Sequence, residues 1–149
     1  MVPRLMAAAL AALAATGVGC ADDAQLTCVT VDLTCAPLYA PTWANVSGTT
    51  LGPKCAASGC HTTAAAKGGL ILDDPATAYE RLINGGYVVA GDVACSELTE
   101  RIFTTESSLR MPRGSRLSDA EACAVAQWVA AGAPGPVAPL APVTASEAP

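Results

Sequence analysis

The sequence predicts a small all-α domain with long loops, stapled by disulfides. Three observations predict it. Segments with apolar residues at helical spacing, each with its own start and stop signals, recur through the middle of the chain. Strand-like runs are brief, at Cys28–Leu33 and Tyr87–Ala90. Seven cysteines punctuate a chain that has only six aromatic residues with which to build a core. The hydrophobic fraction of 52% overstates that core, because thirty-two residues are alanine and many lie at the two ends. So thin a core gains from cross-links or from a large bound group. At 149 residues the chain is one domain with extensions, and a net charge of −5 excludes nucleic acid as a partner, since no basic patch could neutralise phosphates.

In chain order, residues 1–20 carry one positive charge at Arg4, an apolar run from Leu5 to Ala15 and small residues ending in Cys20, the layout of an export signal. The run is short for a permanent membrane span. Gly17-Val18-Gly19-Cys20 is similar to a bacterial lipobox, though it lacks leucine three residues before the cysteine. The expectation is a lipid on Cys20 that holds the exported protein to a membrane, as a periplasm-facing or outer-surface lipoprotein of the cell envelope. The plainer alternative is an ordinary signal peptide, with Cys20 incidental. Residues 21–35 read as a linker in which a Cys28–Cys35 disulfide clips the segment "VTVDLT".

The folded domain is expected over residues 36–133. A short helix, interrupted by Gly48, covers Thr42 to Leu51. Asp73 and Asp74 before Pro75 form an acidic cap with proline in the first turn; Tyr79, Leu82 and Ile83 make the apolar face, and Asn84-Gly85-Gly86 ends the helix. A further helix runs from near Asp92 to about Phe103. The last is the clearest: Ser118 and Glu121 make a capping box, Ala122, Val125 and Val129 form the stripe, and Gly132 stops it. Residues 134–149, with five prolines in sixteen residues, read as a disordered tail.

Giving Cys20 to lipid leaves six cysteines, for which sequence alone allows about fifteen pairings. Cys95 shares an i, i+3, i+7 face with Leu98 and Ile102, and Cys123 lies beside the last helix's stripe, so a Cys95–Cys123 staple is expected alongside the Cys28–Cys35 clip. That leaves Cys55 and Cys60 for each other, or for something between them.

"CAASGCH", Cys55 to His61, holds the chain's only histidine directly after the second cysteine. Covalent haem attachment needs two thiols to add to the two porphyrin vinyl groups, and a histidine beside the second thiol to reach the iron. The usual spacing is two residues; here it is four, so the loop must bulge, and Ala56, Ala57, Ser58 and Gly59 are small enough for that. Against this stand a Cys55–Cys60 disulfide with His61 on the surface, a zinc corner, for which adjacent ligands are poorly placed, and a Cys/His nucleophile pair, which lacks an orienting acid. Met111-Pro112 precedes the last helix, flanked by Arg110 and Arg113, an odd place for a core residue. Its thioether could be the second axial ligand, and Met/His ligation raises a haem's reduction potential.

From about Leu38 to Ala133 the order of motifs resembles the small c-type cytochrome domains of exported bacterial proteins, including those of planctomycetes and myxobacteria. The matching pieces are Cys55…Cys60-His61, Gly68-Gly69-Leu70-Ile71-Leu72, Gly91-Asp92 with Ser96-Glu97-Leu98, Met111-Pro112, and Leu117-Ser118 with Trp128 and Gly132-Ala133. Ala90 stands where a proline often precedes "GD". The resemblance implies a cytochrome c-like helical fold, one covalent haem c with His61 as proximal and Met111 as distal ligand, and electron transfer to a redox protein that the sequence does not name. The leading expectation is therefore a lipid-anchored electron carrier, not an enzyme, because a Met111 ligand would close the position that haem catalysis needs. The alternative is a haem-less lipoprotein of the same fold, held by three disulfides and acting as a binding or structural module.

Overall fold

The computed structural model describes residues 25–136, so the expected export signal, Cys20 and most of the proline-rich tail lie outside the described residues. Among the described residues the architecture is helical, without strands. The fold class is all-α and disulfide-stapled, as the sequence predicts. α1 (Trp43–Asn45) continues without a break into a π-helical stretch (Val46–Cys55), followed by α2 (Pro75–Asn84), α3 (Glu97–Phe103) and α4 (Asp119–Ala130). The first helix is thus longer than expected and ends on Cys55 itself. Its wide turn is closed by the Ala56 N–H, which is shared between Leu51 O at 3.2 Å and Gly52 O at 3.1 Å.

Local chemistry accounts for the starts of α2 and α4. Asp74 caps α2 by accepting from the Thr77 N–H at 2.9 Å, with Pro75 in the first turn. At α4 the Ser118 hydroxyl accepts from the Glu121 N–H at 3.2 Å, while the Glu121 carboxylate accepts from the Ser118 N–H at 2.9 Å. This reciprocal pair is worth about 1 kcal/mol. α4 buries more than the expected stripe: Ala122 through Ala126, Trp128 and Val129 are all buried. A helix covered nearly all round is central to its fold. The π-helical stretch and α3 pack on α4, and the segment before Trp43 covers another side. Gln127 Nε2 donates to Leu33 O and Cys35 O at 3.0 and 3.1 Å, and the Leu38 N–H donates to Ala120 O at 2.9 Å. The hydrophobic centre joins Trp43 and Val46 to Leu82, Val125 and Trp128.

The expected disulfide pairing is corrected. Cys28 bonds Cys95 and Cys35 bonds Cys123, so there is neither a Cys28–Cys35 clip nor a Cys95–Cys123 staple. The physical reason lies in two local structures. α3 begins at Glu97, not near Asp92, so Cys95 sits in the turn before the helix, its N–H bonded to Asp92 Oδ1 at 2.9 Å; its helical spacing to Leu98 and Ile102 is coincidental. The Cys28–Leu33 run is not a strand but a strap laid over the helices, with the Val29 N–H on Ala94 O at 2.8 Å, so its two cysteines meet different elements. Residues 25–35 are thus tied to the helical part by two disulfides and by hydrogen bonds to backbone groups, with no residue of the segment buried. Tyr87–Ala90 is likewise loop. The fold also runs past Ala133. Trp128 Nε1 donates to Pro134 O at 3.0 Å, and a Cβ on Gly135 would lie 2.9 Å from the Tyr79 ring.

The two bridges span sequence separations of 67 and 88 residues, for which loop-closure entropy gives about 4–5 kcal/mol each, taken singly. Non-reducing peptide mapping should recover Cys28–Cys95 and Cys35–Cys123, and Cys35→Ser with Cys123→Ser should lower stability by about 2–5 kcal/mol in urea titration. Recovery of a Cys28–Cys35 peptide would contradict the strap.

Candidate functional site

Cys55 closes the π-helical stretch, and the chain then turns through one 3₁₀ turn, Ala57–Gly59. Gly59 has φ +71°, a left-handed conformation that glycine adopts without strain. That reversal brings the His61 N–H back to Cys55 O at 3.3 Å, while Cys60 O accepts from the Lys67 N–H at 3.1 Å. The four residues between the cysteines are thus taken up in a single compact turn. His61 is held from the other side as well: its carbonyl accepts from the Leu72 N–H at 2.7 Å. The following loop is closed where Thr63 donates its N–H and hydroxyl to the Asp73 carboxylate at 2.9–3.0 Å. These bonds hold the Asp73 carboxyl below the ordinary carboxylate range, the Thr63 N–H being the main cause.

Beside this loop lies a cavity of about 690 Å³, within the size range of small-molecule and cofactor sites. Cys55, Cys60, His61 and Met111, the four residues singled out from sequence, all line it. Aliphatic walls come from Leu70 and Leu72, from Leu82 on α2, and from Leu98 and Ile102 on α3. Met111 arrives on a loop from the far end of α3. Its N–H donates to Arg101 O at 2.8 Å, and the Met111–Pro112 peptide is cis. Four cations, Lys54, Lys67, Arg101 and Arg113, and one carboxylate, Glu97, also line the cavity of this otherwise acidic chain. Lys54 lies 3.8 Å from Glu121 and Arg101 2.8 Å from Glu97, whereas Lys67 and Arg113 have no ion pair among the described residues. The cations and Glu97 were missed by sequence reasoning; only the Glu97/Arg101 spacing of one helical turn signals part of the set.

Cys55 and Cys60 are not bonded to each other, so the third disulfide of the haem-less alternative is absent. Burial, and the charges of Cys60 and Glu121, push the Cys55 thiol up to about 11. His61 Nδ1 is buried without a hydrogen-bond partner. An unpaired buried group of this kind costs about 1–3 kcal/mol, which makes the imidazole a group short of a partner. No cluster of three or more His, Cys, Asp or Glu side chains able to hold a metal ion occurs among the described residues.

Residues 58–114 match the model of a family described as Planctomycete cytochrome C. Over this stretch the chain is similar to that family, which supports a cytochrome c-like domain. The match takes in Cys60, His61 and Met111 and begins three residues after Cys55, so the strap, the π-helical stretch and α4 lie outside it. No curated protein and no solved structure matches the chain. Within the matched segment, Leu70 and Leu72 of the "GGLIL" motif line the cavity, and Ser96 closes the "GD" turn by donating to Asp92 O at 2.6 Å.

In haem-free chain, the raised Cys55 value predicts about 100-fold less thiolate than an ordinary thiol at pH 8, and alkylation slowed in proportion. The folded state also holds its proton where the unfolded thiol has lost it. Stability from this group is therefore full below pH 9.0 and falls as pH rises towards about 11, by about 2–3 kcal/mol. Rate measurements with iodoacetamide, read by peptide mass, check the first; urea midpoints across that pH range check the second.

Proposed function

We propose that the chain is a one-haem electron carrier, exported and anchored by a lipid on Cys20. One observation carries the reading: two unbonded thiols, the imidazole that follows the second, and a thioether from a separate loop all line one apolar-walled cavity. The donor set fits a covalently attached haem c. Cys55 and Cys60 would hold the haem by adding their thiols to its vinyl groups, and His61 and Met111 would bind its iron. Haem, when bound, supplies a one-electron couple that no side chain here offers.

The chain's own residues do the rest. The Ala57–Gly59 turn holds the two thiols and the imidazole on one wall. Leu70, Leu72, Leu82, Leu98 and Ile102 exclude water and lower the local dielectric, which favours the less charged state of a buried centre. Lys67 and Arg113, without ion pairs among the described residues, would be the cations available to the porphyrin carboxylates. A Met111 thioether raises the potential relative to harder ligands.

Two features support export. The Cys28–Cys95 and Cys35–Cys123 bridges are chemistry of an oxidising compartment, and residues 1–20 have the layout of an export signal. No helix among the described residues is long and apolar enough to cross a membrane, so the lipid on Cys20 is the proposed membrane contact, and the partner is a redox protein.

The test is expression of the full chain in a host with active cytochrome c maturation, followed by reduction in alkaline pyridine. The expected result is a c-type haemochrome band at about one haem per chain. His61→Ala should abolish the low-spin spectrum, and Met111→Ala should keep the haem while lowering the potential. A folded, colourless protein would falsify the proposal.

A further inference from the structure

Resting on the haem reading, we infer that Arg101 is a positioning residue for Met111: it holds the methionine's loop to α3 and so sets how firmly the thioether stays in the cavity. Arg101 lies in the last turn of α3 and bonds in three directions. Its Nε donates to Glu97 Oε1 at 2.8 Å, one turn back on the same helix. Its Nη1 donates to Leu109 O at 3.1 Å. Its carbonyl accepts the Met111 N–H at 2.8 Å. Leu109 and Met111 are therefore both tied to α3 through this one residue.

The intervening loop is stiff within itself. Glu106 Oε1 accepts from the Ser108 N–H and hydroxyl at 3.0 and 2.9 Å, and Glu106 O accepts from the Leu109 and Arg110 N–H groups at 3.2 and 3.0 Å. A loop bonded internally moves as a body, so its attachment at Arg101, beside the exposed Arg116 Nη2 donation to Thr104 O at 3.3 Å, sets where Met111 stands. The guanidinium suits the task because its planar fork serves Glu97 and Leu109 O at once, which a lysine ammonium on a flexible stem cannot reproduce with the same geometry. Glu97 orients the fork, and both residues line the cavity that Met111 enters.

The test uses the haem-loaded full chain with imidazole as an external ligand that competes with Met111. Arg101→Lys should tighten apparent imidazole binding by about tenfold, the size expected for losing one charge-assisted hydrogen bond. It should also weaken the sulfur-to-iron band. In a Met111→Ala background the same substitution should leave imidazole affinity unchanged. Glu97→Gln should move affinity in the same direction as Arg101→Lys, by less. An equal effect of Arg101→Lys in both backgrounds would mean that Arg101 acts on access or folding and not through Met111; no effect in either would also overturn the inference. Failure of the haem reading is seen separately, as colourless protein. In that case amide exchange of the full chain decides: Arg101→Lys should reduce protection of the Met111 N–H by about tenfold while leaving α4 unchanged, and unaltered protection would sink the assignment.

Discussion

Trp43 packs between Tyr79, with ring centroids 5.2 Å apart in an edge arrangement, and Trp128, at 5.3 Å and tilted. Each such pair is worth about 0.5–1.5 kcal/mol beyond the area it buries. In a chain with six aromatic residues this cluster joins α1, α2 and α4 at one point. It also sets the site, because the helix that begins at Trp43 runs without a break to Cys55. The height and rotation of that helix on α4 fix where the first thiol emerges. The same rings also hold the segment just past α4: Tyr79 Oη donates to Ala133 O and Trp128 Nε1 to Pro134 O, both at 3.0 Å.

The strap fixes other elements. Cys35–Cys123 holds it to α4, and Cys28–Cys95 to the turn that precedes α3. In that turn the buried Ser96 hydroxyl donates to Asp92 O and accepts from the Val89 N–H, at 2.6 and 2.9 Å. The start of α3 is thereby fixed covalently and by hydrogen bonds. Leu98, Arg101 and Ile102 follow within the helix, so a cross-link remote from Cys55 determines the position of one cavity wall and of the loop bearing Met111. Few bulky residues are needed where the chain's path is constrained in this way, which is how a core rich in alanine encloses a cavity of this size.

What the sequence made legible was short in range. The Asp74-Pro75 start and the Ser118/Glu121 box depend on residues three apart, and both stand as read. Cys55, Cys60 and His61 are neighbours in sequence, and Met111 was found because a methionine between arginines has no packing reason to be there. The disulfide partners were not legible, since pairing depends on the path of a strap that has no periodicity of its own. Cys95 misled because three residues at helical spacing do not reveal where a helix starts. Nothing in the sequence singles out Arg101 as a residue tied to Met111. Its role rests on the carbonyl of Leu109 and the N–H of Met111, backbone groups that every sequence possesses and whose pairing a sequence does not display.

The four-residue gap between Cys55 and Cys60 illustrates the same difference between spacing and placement. Attachment chemistry requires two thiols and an imidazole on one wall; the number of residues between them matters only through the turn they permit. Here Ala57–Gly59 forms one tight turn, Gly59 reverses the chain in a conformation other residues resist, and the His61 N–H closes the loop on Cys55 O. The closing bond lies at the base of the loop, so residues added above it lengthen the turn without separating its ends. A two-residue spacing reaches that closure by brevity. A four-residue spacing reaches it only with small side chains and a glycine at the reversal, and "AASG" is a segment of that composition.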